Sequence, residues 1–152
     1  MQAWRIAKRQ YATDRAGTGG LYAEGRWHER GTPVIYCGAS VEICALESLA
    51  HTGPVLPDDL VLVEFVLPDE DKLYRDINAA DLPPGWAGSP PLRQTKAAGT
   101  RFLRDNEALA LFVPSAIVVE ARNLLINPHH PRFADVSIEV LRDFSFDPRL
   151  RP

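Results

Sequence analysis

Cysteine is scarce: Cys37 and Cys44 are the only two in 152 residues, and both lie in the most apolar part of the chain. Two thiols embedded in apolar sequence argue against a disulfide framework and against a metal pair. They read instead as small buried hydrophobes. Long apolar runs are missing as well. Nowhere do about 18 apolar residues follow one another, and the opening MQAWRIAKRQ has no apolar signal core. A cytoplasmic protein with no membrane role is therefore expected. Basic blocks are also absent, and the formal net charge is −3. Phosphate neutralisation supplies most nucleic-acid affinity, so no direct nucleic-acid role is expected.

Several catalytic signatures are absent too. There is no Gly-x-Ser-x-Gly elbow, no Cys–His pairing at a recognisable spacing and no Walker lysine. The adjacent His129 and His130 have nothing nearby to complete a metal shell, so no metal is assigned. Gly17, Gly19 and Gly20 suggest a phosphate cradle, but the third glycine of a dinucleotide fingerprint would fall at Tyr22. A turn-rich loop is the simpler reading.

What remains is an ordinary globular composition, 45% hydrophobic and 24% charged, in a length that suits one domain over residues 1–152. Strand-like runs are predicted at 3–6, 34–37, 60–67, 72–75, 109–113, 116–119, 123–127 and 137–141. The 60–67 run (LVLVEFVL) is apolar on both faces apart from Glu64 and is expected to be inner rather than edge. A helix is predicted over 41–51, with Ser40 as N-cap, Glu42 in the first turn and Gly53-Pro54 as the stop. Its apolar residues surround it, which points to a buried helix. A second helix is predicted over 95–106, although Gly99 counts against it. Strands outnumber helices, and the helices do not alternate with them. The expected fold is α+β, with a twisted, mostly antiparallel sheet and inserted helices.

Arg26, Tyr36 and Glu47 recur at roughly ten-residue spacing along apolar sequence, and a charge is costly to bury without a partner. Each has two readings. Glu47 is either a working carboxylate or one bonded to a core arginine. Arg26 is a ligand-binding fork or an arginine at an exposed turn, and Tyr36 is a stacking group or a core residue. Arg5 is a ligand residue or half of an ion pair. Ser115, at the irregularity made by Pro114, either meets a ligand or satisfies the backbone at a bend. Asn127 is a site candidate or a turn residue.

These residues carry a resemblance. The ordered set Trp4-Arg5, Gly25-Arg26-Trp27, Val34-Ile35-Tyr36 with Gly38 and Ser40, Glu47, Arg101-Phe102-Leu103, Val113-Pro114-Ser115-Ala116-Ile117 and Asn127-Pro128-His129-His130-Pro131 spans almost the whole chain. In this it resembles the RES-domain toxins. The resemblance implies a fold similar to ADP-ribosyltransferase toxins and the toxin half of a bacterial toxin–antitoxin pair. It implies NAD as substrate rather than cofactor, either degraded at the nicotinamide–ribose bond or used for protein ADP-ribosylation. The implied site is Arg5, Arg26, Tyr36, Glu47, Ser115 and Asn127. The implied partner is a helix-turn-helix, Xre-type antitoxin that blocks the pocket, and a toxin homodimer is implied within the complex. The rival of another class is a non-catalytic module that binds the antitoxin.

Overall fold

The computed structural model describes residues 1–150. It folds into a seven-stranded sheet with three α-helices. In chain order these are β1 (Gln2–Lys8), α1 (Gly19–Tyr22), β2 (Ile35–Gly38), α2 (Val41–His51), β3 (Leu60–Val66) and β4 (Tyr74–Asp76). Then come α3 (Arg93–Asp105), β5 (Ala110–Pro114), β6 (Arg122–Ile126) and β7 (Ser137–Asp143). The strand order is β4-β5-β6-β2-β1-β3-β7. Only the β4–β5 pairing is parallel; all the others are antiparallel. The architecture is the expected α+β one. Strand β3 lies inside the sheet, between β1 and β7, as its apolar run predicts.

Both faces of the sheet are covered, and alternation along β5 and β6 divides the core between them. Ala110, Leu124 and Ile126 join Ile35, Val61, Val63 and Phe65 in one cluster. Leu111, Val113 and Leu125 pack with Trp27, Val34 and Leu103 in the other, which α3 covers. Gly99 is the reason α3 can lie so close. A Cβ built there would sit 1.8 Å from the Trp27 carbonyl oxygen. The glycine that weakens the helix locally is therefore what its packing requires.

One line of the sheet is barely closed. Strand β2 pairs with β6 along all four of its residues, but it meets β1 only at Trp4–Gly38. Helix α2 packs over this junction. Ser40 caps it by accepting from the Ile43 amide at 3.3 Å, and the Cys44 thiol donates to the Trp4 carbonyl at 2.8 Å. A Cβ on Gly38 would lie 2.6 Å from the Cys44 sulfur, so the close seat of α2 on β2 depends on that glycine.

Two expectations need correction. Helix α2 is not buried all round: only Ile43 and Cys44 are buried, and Leu46 is 39% exposed. Its apolar residues dress an open rim rather than a core. The 116–119 run is not a strand. The Ser115 hydroxyl accepts from the amides of Ile117 (3.0 Å) and Val118 (3.2 Å), which bends the backbone into a turn and leaves Ile117, Val118 and Val119 exposed. The glycine segment is a close-packed turn, in line with the simpler reading of it. Gly17 sits at φ +65°, and a Cβ on Gly20 would lie 2.1 Å from the Thr32 carbonyl oxygen, so these glycines allow close backbone contact.

Candidate active site

Where β1 and β2 part, a cleft of about 720 Å³ opens, lined by Arg5 from β1, Arg26 and Trp27 from the loop before β2, Tyr36 from β2, Glu47 from α2 and Asn123 from β6. Its volume lies within the range of small-molecule sites, roughly 300–1,000 Å³.

Glu47 is half-buried and carries no ion pair within 4.0 Å among the described residues. One carboxylate oxygen, Oε1, accepts from Ser115 Oγ at 2.8 Å and from Asn123 Nδ2 at 2.7 Å. Oε2 has no hydrogen-bond partner among the described residues. Two neutral donors fix the orientation of the group without cancelling its charge. That favours electrostatic work on a nearby cation over a purely structural bond to an arginine.

Ser115 is 1% exposed. Its hydroxyl proton goes to Glu47 and its lone pairs take the two turn amides, so it holds the carboxylate from behind rather than meeting a ligand. Asn123 shares that task and was not anticipated. Nothing in the local NLLIN run sets it apart, because its partner lies 76 residues away.

The arginines differ. Arg5 makes no hydrogen bond or ion pair among the described residues. Its charge is felt at Asp14, whose carboxyl is lowered, against the desolvation that would raise it, by hydrogen bonds from Thr18 and Ala16 and in smaller part by Arg5. Its fork is free for an anion. Arg26 occupies a tight turn bracketed by the Gly25–His28 bridge. Its Nη1 donates to the Trp86 carbonyl at 2.6 Å and the Gly88 carbonyl at 2.9 Å. Arg26 thus pins the 83–91 loop at the cleft rim, where Ala87, Ser89 and Pro91 join the lining, while Nε and Nη2 make no hydrogen bond among the described residues.

The Tyr36 hydroxyl lies 2.6 Å from Nδ1 of His28, and burial pushes its pKa well above the usual phenol value, against the smaller opposing effect of a Trp27 backbone hydrogen bond. It works as a neutral phenol. Burial likewise pushes the Cys44 thiol up to about 12, with the Glu47 and Glu42 charges adding to the shift. That thiol is no nucleophile at neutral pH.

Asn127 is not in this cleft, and its candidacy is corrected. It is 2% exposed and lines a separate cavity of about 310 Å³ with Thr32, Leu103 and His129. Its Nδ2 donates to the Leu103 carbonyl (3.0 Å) and to Asn106 Oδ1 (2.9 Å), and its Oδ1 accepts from the His129 amide (3.0 Å). Asn127 thereby ties down the C-terminal end of α3, where Asn106 sits at φ 55°. Asn127→Ala is expected to cost about 2 kcal/mol of stability by orphaning buried polar groups, while leaving the cleft chemistry near wild type. Urea unfolding beside a turnover assay checks both.

Fold and site define an α+β protein with an open cleft holding one oriented, unpaired carboxylate and two arginines. The family model described as "RES domain" matches residues 2–148. "Toxin Res" of Pseudomonas putida is 42% identical over 157 residues, spanning 99% of each chain. "Toxin Res" of Yersinia enterocolitica is 36% identical over 157 residues, spanning 99% of this chain and 100% of that one. The "Prs ADP-ribosylating toxin" of Sphingobium sp. is 36% identical over 152 residues, covering 97% and 94%. This chain belongs to the RES-domain toxin family. Its fold also matches that of a chain in the crystal structure of the M. tuberculosis MbcT–MbcA toxin–antitoxin complex, with a TM-score of 0.71, 17% identity and coverage of 98% and 85%.

Proposed function

We propose that this protein is the toxin of a toxin–antitoxin pair, that the cleft binds NAD, and that it cleaves the nicotinamide–ribose bond. The observation that carries this reading is Glu47, oriented by Ser115 and Asn123 yet without a countercharge among the described residues. Nicotinamide departs from NAD as a neutral molecule, because the glycosidic electron pair neutralises the pyridinium. The leaving group needs no acid, unlike an ordinary glycoside served by two carboxylates. What the reaction needs is stabilisation of the positive charge that grows on the ribose, and one carboxylate supplies it. Arg5, and the nitrogens that Arg26 does not spend on the 83–91 loop, would hold the pyrophosphate. Tyr36 would lie against the nicotinamide or ribose. Water, phosphate or a protein side chain would then take the ADP-ribosyl group.

Transfer to a protein is the second reading, favoured by the Sphingobium relative, named an ADP-ribosylating toxin. Free ADP-ribose after incubation with labelled NAD and cell extract marks hydrolysis, and label retained on a protein marks transfer. An Xre-type antitoxin that blocks the cleft, a toxin homodimer and a cytoplasmic setting complete the proposal. Expression without an antitoxin is expected to arrest bacterial growth and deplete cellular NAD, with Arg26→Ala relieving both. Arrest at unchanged NAD would count for the transfer reading, and equal arrest by Arg26→Ala would argue against this site.

A further inference from the structure

Behind Tyr36 lies a residue that the mechanism so far leaves unused. His28 is 5% exposed, and both of its ring nitrogens are engaged. Nε2 lies 2.8 Å from the Ala23 carbonyl oxygen. A carbonyl only accepts, so Nε2 carries the proton. In a neutral imidazole Nδ1 is then bare, and the Tyr36 hydroxyl, 2.6 Å away, must donate to it. The two rings stand 5.5 Å apart at 53°, clear of stacking, so the hydrogen bond sets their relation. Gly25 leaves room for the pair: a Cβ there would lie 2.9 Å from the imidazole and 3.1 Å from the phenol oxygen.

We propose that His28 is a positioning residue: its Nδ1 accepts the Tyr36 hydroxyl's hydrogen bond, so that the neutral phenol offers the cleft its ring and an oxygen that can only accept. This rests on the reading of the cleft as an NAD site. An acceptor-only phenol suits a ligand that brings donors and positive charge, as the carboxamide N–H, ribose hydroxyl and cationic ring of the oxidised dinucleotide do. It disfavours a ligand that presents a carbonyl or carboxylate at that point. A protonated His28 would reverse the arrangement, because Nδ1–H would donate and the phenol proton would swing into the cleft. The charged and titratable groups around the imidazole are Tyr36, Glu24 and Lys96, the last two paired with each other at 2.7 Å. Burial is the largest influence and lowers the His28 pKa, which favours the neutral imidazole.

The full chain labelled with 15N-histidine, observed by long-range 1H–15N NMR, reads the tautomer directly. Expected at neutral pH is a protonated Nε2 and a bare Nδ1 for His28, with any titration falling below that of an ordinary exposed histidine. In Tyr36→Phe the Nδ1 resonance is expected to shift toward an unbonded nitrogen. A protonated Nδ1 in wild type, or no Nδ1 shift in Tyr36→Phe, overturns the proposal. These readouts need no substrate. A wild type that does not turn over NAD but shows the expected tautomer therefore sinks the NAD reading and leaves the His28–Tyr36 assignment standing.

Kinetics adds a second arm. His28→Phe is expected to lower kcat/KM for NAD roughly tenfold, the size of one hydrogen bond. His28→Gln, which can still accept from Tyr36, should recover most of that. In the Tyr36→Phe background, His28→Phe should cost nothing further, and equal losses in both backgrounds overturn the proposal. Should His28→Phe fail to fold, the NMR comparison of wild type with Tyr36→Phe decides.

Discussion

Glu47→Gln is expected to lower nicotinamide release from NAD by about a hundredfold or more, with little change in melting temperature. The substitution is nearly isosteric. Its amide oxygen can still accept from Ser115 Oγ and Asn123 Nδ2, which both meet Oε1 at present. Only the charge is lost, and both hydrogen bonds that seat the group are kept, so the fold is expected to tolerate it. Removing one preorganised electrostatic group typically costs about 10²–10³ in kcat. The loss should appear in kcat rather than KM, because the positive charge on the ribose develops only in the transition state. A Glu47→Gln protein with wild-type turnover and an unaltered melting curve would remove Glu47 from the chemistry. Glu47→Ala is the blunter companion, since it also leaves Ser115 and Asn123 without an acceptor.

The largest effect on stability is expected at Gly99. Helix propensity alone favours Gly99→Ala by about 1 kcal/mol. Contact reverses the sign. The new Cβ would lie 1.8 Å from the Trp27 carbonyl oxygen and 2.8 Å from its carbon, and both are backbone atoms with nowhere to yield. Overpacking of this kind costs about 3 kcal/mol or more, which for a domain of this size corresponds to roughly 10 °C in melting temperature. Gly19→Ala is the control, because a Cβ there meets nothing within 4 Å and no strained φ is involved. Turnover of NAD should fall along with stability, since pushing the Trp27 backbone away also displaces Arg26 beside it. Thermal unfolding of the two variants side by side checks the ranking. Equal melting temperatures would mean that α3 is not seated on Trp27.

These two residues also show what the amino-acid sequence could and could not reveal. Glu47 stands out in sequence because a carboxylate inside an apolar helix is chemically odd, and helix bounds at Val41–His51 follow from Ser40 and Gly53-Pro54 alone. Gly99 shows the opposite. Propensity argues against the helix, and only the three-dimensional approach of Trp27 explains the glycine. The apolar run that makes 116–119 look like a strand is real, but a buried serine hydroxyl at 115 takes the Ile117 and Val118 amides into a turn. Arg5, Arg26, Tyr36 and Glu47 meet in one cleft because β1 and β2 separate there, and local sequence carries no sign of that separation. Asn123 and Asn127 are four positions apart on the same stretch. Asn123 faces Glu47, whereas Asn127 ties down α3. Motif order could not separate their roles; hydrogen-bond partners do. His28 escaped notice because its significance lies in Tyr36 and the Ala23 carbonyl rather than in any spacing.

The most direct measurement mixes the full chain with NAD and quantifies free nicotinamide by chromatography against time. Nicotinamide accumulating well beyond one equivalent per protein chain, and suppressed in Glu47→Gln, is the expected result with water or phosphate as the acceptor, or with a protein substrate added for transfer. No nicotinamide from folded wild type under any of these three conditions would contradict the assignment of this cleft to NAD cleavage.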